Sequence, residues 1–203
     1  MQGTRLNGRR LINFIIIPIL IFSFLLLIDQ LTKNYFRNEK SNQVVEVINN
    51  FLYFDFVLNT GSAFSFLANV DWAQTFFKIL TPISLVLFIG FFIYAYKKGY
   101  KWLLFAVTLV IAGTIGNYID RLFFSAVTDF ISFKFGSYYF PTFNFADVYL
   151  CVGVVMLIIH LLFLDENALF RNEKRDNSST EQSTKSEDWP FFIGKYWFDT
   201  FTY

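Results

Sequence analysis

Residues 116–149 read GNYIDRLFFSAVTDFISFKFGSYYFPTFNFADVY and lie between two strongly apolar segments, residues 102–115 and 148–164. The stretch is largely aromatic and apolar itself. It nevertheless contains polar side chains of kinds that are rare at membrane depth, among them Asn117, Asp120, Arg121, Asp129, Asn144 and Asp147. Ionisable groups close to membrane helices are costly to desolvate, so their presence suggests a functional role. We therefore expect a functional site here, and not simply a solvated loop.

The composition indicates an integral membrane protein. Of 203 residues, 55% are hydrophobic, 22% aromatic and only 16% charged, which is more apolar than a typical soluble domain. The net charge of +1 gives no indication of a nucleic-acid partner. A single cysteine, Cys151, and a single histidine, His160, argue against a disulfide framework, a cysteine-rich metal site and HExxH zinc chemistry. We expect no metal or other cofactor, and we expect Cys151 to be a small buried side chain.

The apolar runs predict four membrane spans, which give an all-α membrane core. Helices at about 1.5 Å per residue need roughly 20 residues to cross the hydrocarbon layer. The spans are expected near residues 11–31, 76–96, 102–119 and 147–164. Lysine and arginine flank the start of the first span, the loop between the second and third, and the end of the fourth. The positive-inside rule then predicts that both termini are cytoplasmic and that the two longer loops are extracytoplasmic.

The first of these loops contains a β-rich region at about residues 43–66. Residues 44–48 and 51–58 are rich in β-branched and aromatic side chains, and Asn49 and Asn50 between them supply a turn. We expect a small extracytoplasmic β-rich cradle at the membrane surface. The small residues that follow, including Gly61, allow a backbone or a ligand to approach closely.

The membrane domain is predicted to cover residues 1–166, and residues 167–203 form a cytoplasmic tail. Residues 171–187 are polar and have the composition of a disordered segment. The last fifteen residues hold eight aromatic side chains, which suit the bilayer interface.

Asp129 and Asp147 are the candidate catalytic pair, because both acids have apolar neighbours on each side. If the fold brings them together, burial and mutual repulsion prevent both from ionising at once, and the pair shares one proton. This is the arrangement of an aspartic protease, in which one carboxylate takes a proton from water and the other carboxyl group hydrogen-bonds the scissile carbonyl. Such a mechanism needs no covalent intermediate.

Other polar residues are expected to support this pair. Asp120 precedes Arg121 and suits a structural ion pair with it. Asn117 and Asn144 can donate and accept hydrogen bonds, and so can position the acids or a substrate backbone. Asp29 and Lys33 are four residues apart and share a helix face, where they form either a helix-end ion pair or part of the site.

Five ordered motifs resemble bacterial lipoprotein signal peptidase, or signal peptidase II. They are residues 29–33 (DQLTK), 59–65 (NTGSAFS), 116–121 (GNYIDR), 127–131 (VTDFI) and 140–147 (FPTFNFAD). The motifs occur in the family's order and at family-like spacings between about residues 11 and 164. Any one of them would be weak on its own, but five in order are specific.

The resemblance implies a four-helix aspartic endopeptidase of the bacterial cytoplasmic (inner) membrane, with its site near the extracytoplasmic face. Its catalytic dyad falls on Asp129 and Asp147. The implied substrates are diacylglyceryl-modified prolipoproteins, which are cut just before the lipidated cysteine. Membrane lipids and globomycin-type inhibitors are further implied partners. The resemblance also implies that further residues line or support the site, and these are Asn59, Gly61, Asn117, Asp120, Arg121, Asn144, Asp29 and Lys33.

Two other functions remain open from the residues themselves. A small membrane transporter or channel would use Asp120, Asp129 and Asp147 as a proton or cation path. It predicts acids spread through the depth of several spans, whereas here they cluster. A membrane assembly factor without catalysis would use the same acids structurally. Cleavage of a lipidated prolipoprotein separates the three hypotheses.

Overall fold

The computed structural model describes residues 8–39, 44–61 and 72–165. The chain divides into two compact units, Met1–His160 and Leu161–Tyr203. The predicted tail, residues 167–203, and the end of the predicted β region, residues 62–66, lie outside the described residues. The boundary drawn at residue 166 stays a prediction.

Four helices in the described part of the chain are long and apolar enough to cross a membrane: Gly8–Asn38, Ala73–Lys98, Lys101–Phe124 and Phe145–Leu164. The first begins as α1 (Gly8–Leu11), passes through a π-helical turn (Ile12–Ile16) and continues as α2 (Ile17–Glu39). The others are α3 (Ala73–Lys98), α4 (Lys101–Phe124) and α5 (Phe145–Ile159), which ends in a π-helical turn (His160–Leu164). The prediction of four membrane helices is confirmed.

Helix α4 lies at the centre of the helices and packs against α2, α3 and α5. Its side chains Leu103, Val107 and Val110 are buried, whereas α3 exposes residues such as Ile83 and Val86. A helix that is apolar all round is suited to a buried or a lipid-facing position. The sequence of these helices therefore specifies membrane residence, and packing decides which of them is central.

Two glycines of α4 allow the close approach of its neighbours. A side chain at Gly113 would overlap the Ala146 carbonyl oxygen and the Leu150 side chain, and one at Gly116 would overlap the Asp29 carboxylate. Small residues let membrane helices approach closely. As a result, the start of α5 and the polar part of α2 both lie directly against α4.

The strands form one antiparallel sheet in the order β1 (Val45–Ile48), β2 (Leu52–Asn59), β3 (Val127–Phe135) and β4 (Tyr138–Tyr139). The predicted hairpin is confirmed as β1 and β2. Its turn contains Asn50 at φ +52°, a left-handed conformation that asparagine tolerates better than most residues.

Strands β3 and β4 were not predicted, because the sequence pattern indicates only a loop between the spans expected at residues 102–119 and 147–164. Residues 127–135 instead form β3, which pairs with β2 so that Asp129 lies opposite Val57 and Val127 opposite Asn59. The sequence VTDFISFKF is rich in β-branched and aromatic residues and is long enough for a strand. This pairing brings the segment that follows α2 beside the segment that follows α4.

Candidate active site

Asp129 and Asp147 come from different elements that are held side by side. Asp129 is the third residue of β3, and Asp147 lies in the first turn of α5. Between them, Phe143 bridges Ile131, exchanging N–H to carbonyl hydrogen bonds of 2.8 and 3.0 Å. The segment that leads into α5 is therefore pinned to β3, close to Asp129.

The start of α5 fixes Asp147 through a capping box. The Asn144 side chain accepts a hydrogen bond from the Asp147 N–H at 3.1 Å, and the Asp147 Oδ2 atom accepts one from the Asn144 N–H, also at 3.1 Å. Reciprocal bonds of this kind satisfy helix N–H groups that otherwise have no partner. They also leave Asp147 Oδ1 available on the side of Asn117.

Two amides connect the aspartates. Asn144 Nδ2 donates to Asp129 Oδ1 at 2.7 Å and contacts Asn117 Oδ1 at 3.2 Å. Asn117 Nδ2 in turn donates to Asp147 Oδ1 at 2.8 Å. The carboxylates are thus held by one continuous hydrogen-bond chain, which orients both of them.

The second oxygen of Asp129 is held from β2. Asn59 Nδ2 donates to Asp129 Oδ2 at 2.9 Å, and Asn59 Oδ1 accepts from the Gly61 N–H at 2.9 Å. Asn59 and Gly61, both predicted site residues, therefore lie next to the acid. The β2–β3 pairing explains why residues 70 positions apart in the chain meet here.

The environment of Asp129 raises its pKa to about 7. Burial is the main cause, since the residue is only 2% exposed, and the negative charge of Asp147 adds to it. The hydrogen bonds from Asn59 and Asn144 favour the charged form and oppose the shift. A carboxyl group of this kind can hold a proton near neutral pH, as the predicted proton-sharing pair requires.

Lys33 lies behind the site and is fully buried. Its Nζ atom is 2.9 Å from Asp29 Oδ2 and donates to Asn117 Oδ1 at 2.8 Å, with Asp120 Oδ2 4.0 Å away. Asp29 also accepts a hydrogen bond of 3.0 Å from the Ala146 N–H at the start of α5. A buried cation needs such compensation, so this cluster joins α2 to α4 and α5 directly behind the aspartates.

The expected ion pair between Asp120 and Arg121 is not formed. Asp120 pairs with Arg37 at 3.0 Å, and the Lys33 Nζ atom lies 4.0 Å from Asp120 Oδ2. Arg121 instead donates to the Gly61 carbonyl at 3.1 Å and lies 5.0 Å from the centre of the Phe77 ring. Consecutive helical residues point in different directions, and interactions link positions three or four apart.

One cavity of about 310 Å³ contains both aspartates. All of its charged and amide lining residues were predicted as site residues, whereas Thr142 and the apolar walls were not. The lining residues are Asn59, Asn117, Arg121, Val127, Asp129, Phe140, Pro141, Thr142, Phe143, Asp147, Val148, Cys151 and Val152.

Cys151 is exposed, so the expectation that it is buried was wrong. It lies one helical turn after Asp147 and therefore shares the cavity face of α5.

Two further residues beside the site were missed, Arg37 and Thr128. Arg37 follows Lys33 by four residues and Asp29 by eight, so this helical spacing could have placed it on the same face of α2. Thr128 had no signal of its own, because its role depends on the pairing of β3. Among the described residues, no group of three or more histidine, cysteine, aspartate or glutamate side chains is arranged to hold a metal ion.

Known proteins are similar to this chain in sequence and in fold. The profile of the family described as signal peptidase (SPase) II matches residues 21–163. Lipoprotein signal peptidases of Syntrophotalea carbinolica and Bacillus velezensis are each 39% identical to the chain, over 144 and 145 residues. The alignments cover 70% and 71% of this chain and 89% and 92% of those relatives.

Two solved structures described as bacterial membrane enzymes are also similar. One is 33% identical, with a TM-score of 0.64, and the match covers 87% of this chain and 96% of the other. The second is 37% identical, with a TM-score of 0.66 and coverages of 75% and 96%.

The matched residues 21–163 include every side chain that lines the cavity and the buried cluster behind it. Asp129 and Asp147 both line this cavity, and each accepts a hydrogen bond from an asparagine amide. With a family match over most of its length, the chain belongs to the signal peptidase II family of membrane aspartic peptidases.

Proposed function

We propose that this enzyme cleaves the signal peptide from diacylglyceryl-modified prolipoproteins immediately before the lipidated cysteine. Asp129 and Asp147 are the proposed catalytic dyad. Membership of a family whose members are named lipoprotein signal peptidases supports the substrate class. Membership of an aspartic peptidase family also favours this function over transport or assembly.

The observation that carries the proposal is the shared cavity of Asp129 and Asp147, together with the amide chain that joins them. The amides hold both carboxylates while leaving them on the cavity surface. The raised pKa of Asp129 further supports a pair that holds one proton at neutral pH.

In the proposed reaction the ionised member of the pair takes a proton from water, and the water oxygen attacks the scissile carbonyl carbon. The protonated member gives its proton to the carbonyl oxygen, which forms a neutral tetrahedral diol. The first acid then protonates the departing amine as the C–N bond breaks. A hydroxyl of the diol returns its proton to the second acid, so the pair again holds one proton.

The other site residues predicted from the sequence have proposed supporting roles. Arg121 and Asn59 line the cavity and carry donors that suit a substrate backbone carbonyl. Gly61, Asn117, Asn144, Asp120, Asp29 and Lys33 are proposed to hold these groups in place, through the hydrogen bonds and ion pairs described above.

The proposed setting is the bacterial cytoplasmic membrane, with both termini cytoplasmic and with the sheet and dyad near the extracytoplasmic face. The distribution of lysine and arginine supports this orientation. The acyl chains of the substrate would stay in the bilayer while the peptide enters the cavity. Sensitivity to globomycin-type inhibitors is a further expectation from the family resemblance. Residues 1–166 are proposed to form the whole peptidase domain.

The test uses purified enzyme in detergent or lipid with a synthetic prolipoprotein peptide that carries diacylglyceryl-cysteine. Mass spectrometry should find one cut, before the lipidated cysteine. In H₂¹⁸O the label should enter the new carboxylate of the signal peptide. The same peptide without lipid is the matched control. Equal cleavage of both peptides, or a cut at another bond, would contradict the proposed substrate.

A further inference from the structure

We infer that Arg37 is a positioning residue for Asp129, acting through Thr128 and Asp120. The inference rests on the proposed function, because it assumes that Asp129 performs the chemistry. Arg37 is absent from the cavity lining and belongs to α2, whereas Asp129 belongs to β3.

The Arg37 guanidinium forms an ion pair with Asp120, hydrogen bonds with Thr128 and a cation–π contact with Phe124. Its Nη2 atom donates to Asp120 Oδ1 at 3.0 Å and to Thr128 Oγ1 at 2.7 Å, and its Nε atom donates to Thr128 Oγ1 at 3.2 Å. The guanidinium carbon also lies 3.5 Å from the centre of the Phe124 ring. Arginine can combine a planar fork of donors with stacking on an aromatic ring, and lysine cannot.

These contacts clamp the turn that joins α4 to β3. Phe124 is the last residue of α4 and Thr128 is the second residue of β3. Between them, Ser125 has φ +56°, a left-handed conformation that is uncommon for residues other than glycine. Arg37 contacts the chain on both sides of this turn and so limits how far it can open.

The clamp reaches Asp129 through its immediate neighbour. Thr128 is fully buried, and its N–H donates to Asp120 Oδ2 at 2.8 Å while its hydroxyl accepts from Arg37. Both the backbone and the side chain of Thr128 are therefore fixed by the pair of Arg37 and Asp120. Because successive side chains of a strand point to opposite faces, the orientation of Thr128 sets the direction of Asp129.

This arrangement predicts an effect on turnover more than on substrate binding. Small misplacements of a catalytic group lower the rate steeply, even when the change lies away from the chemistry. Arg37 does not line the cavity, so its removal should leave the contacts of the substrate in place. We expect kcat to fall and KM to change little.

The experiment measures kcat and KM with a lipidated prolipoprotein peptide, per mole of folded enzyme, for Arg37→Gln, Thr128→Val and the double variant. Each single variant should lose about tenfold or more in kcat, with KM within about twofold of the wild type. The double variant should lose no more than the worse single one, because both changes remove the same interaction. Thr128→Ser keeps the hydroxyl and should restore most of the rate, whereas Arg37→Lys should not.

Arg10→Gln is the matched control. Arg10 also donates to backbone carbonyls, those of Tyr96 and Lys97, and its guanidinium lies 5.2 Å from the Tyr96 ring centre. It does so near the other end of the same membrane-length helix, so kcat of this variant should match the wild type. If Arg37→Gln does not fold, the kcat values of Thr128→Val and Thr128→Ser still test the positioning role. A loss in the valine variant that the serine variant does not show supports it, and equal kcat values contradict it.

Wild-type kcat in Arg37→Gln or Thr128→Val, additive losses in the double variant, or a rise in KM at constant kcat would each overturn the role of Arg37. Asp129→Asn is measured in the same series. If Asp129→Asn keeps its turnover, the proposed dyad fails instead. Loss of turnover in Asp129→Asn with normal turnover in Arg37→Gln rejects the positioning role alone.

Discussion

Asn117 donates a hydrogen bond of 2.8 Å from its amide nitrogen to Asp147 Oδ1. The oxygen of the same amide accepts hydrogen bonds from Lys33 at 2.8 Å and Asn144 at 3.2 Å. Because both of its neighbours on the oxygen side are donors, the amide can present only its nitrogen to Asp147. The buried lysine thus sets the orientation of a hydrogen bond to a proposed catalytic acid.

Replacement of either proposed catalytic acid should abolish turnover. Asp129→Asn and Asp147→Asn keep the shape of the side chain but cannot exchange the proton, so we expect a loss of at least about 10³-fold. The measurement is the initial cleavage rate of a lipidated peptide by each purified variant. Near-normal turnover by either variant would remove that residue from the dyad.

Asn117→Ala should lower both activity and stability. It removes the donor to Asp147 and deprives buried Lys33 of an acceptor. A buried group left unsatisfied costs about 1–3 kcal/mol, or more when charged, and we expect kcat to fall about 10²-fold. Thermal unfolding in detergent and kcat measure the two effects. Asn38→Ala is the control, because Asn38 makes an exposed hydrogen bond to Asn34; equal effects in both variants would contradict the role of Asn117.

The pH–rate profile should show an alkaline limb near pH 7. The pKa of Asp129 is raised to about 7 by burial and by Asp147, so the shared proton is lost as the pH rises through that value. The limb reports the pair and not one residue. The same pKa shift makes the free energy of unfolding depend on pH. Between pH 3.8 and about 7 the folded chain retains a proton on Asp129 that the unfolded chain releases. The free energy of unfolding therefore decreases as the pH rises across this range. A flat profile of kcat/KM from roughly pH 6 to 9 would contradict the shared proton.

The orientation in the membrane can be tested with reporters. A reporter fused after Lys98 should be cytoplasmic, because Lys97, Lys98 and Lys101 lie at the connection between α3 and α4. One inserted near Asn69, outside the described residues, should be extracytoplasmic. Enzymatic reporters active on only one side of the membrane measure this. The reverse accessibility would place the dyad on the wrong side for lipoprotein processing.

Truncation after Arg175 should leave the peptidase largely intact. The removed residues lie outside the family match, which ends at residue 163, and on the proposed topology they are separated from the dyad by about 30 Å of hydrocarbon. The measurement is the initial rate per mole of folded enzyme, with membrane abundance of the protein as the control. A tenfold loss, about 1.4 kcal/mol in the barrier, would show that the tail acts on the site.

The local sequence was sufficient to predict the membrane helices and the first hairpin. The apolar runs are long and almost free of charge, and Asn49 and Asn50 mark a turn between two β-branched and aromatic segments. Strand β3 was missed even though VTDFISFKF has a strand-like composition. Its partner β2 is about 70 residues away in the chain. The local sequence of β3 therefore does not reveal the pairing that makes it a strand.

The sequence predicted the acids and amides of the candidate site but not the contacts that connect them. Asp120 was paired with its neighbour Arg121, although its partners are Arg37 and Lys33. Cys151 was expected to be buried because its neighbours are apolar, yet it is exposed and lies on the face of α5 that lines the cavity. In both cases the outcome depends on which face of a helix meets another element.

Composition by itself determined that this is a membrane protein, and the order of its motifs determined its resemblance to signal peptidase II, because hydrophobic length and motif spacing are properties of the chain. Only the tertiary structure decided that Asn144 and Asn117 join Asp129 to Asp147, that Lys33 orients the connecting amide, and that Arg37 reaches Thr128. Hydrogen bonds and ion pairs act over about 3 to 4 Å. Distances of that size between residues up to 91 positions apart arise only when helices and strands pack.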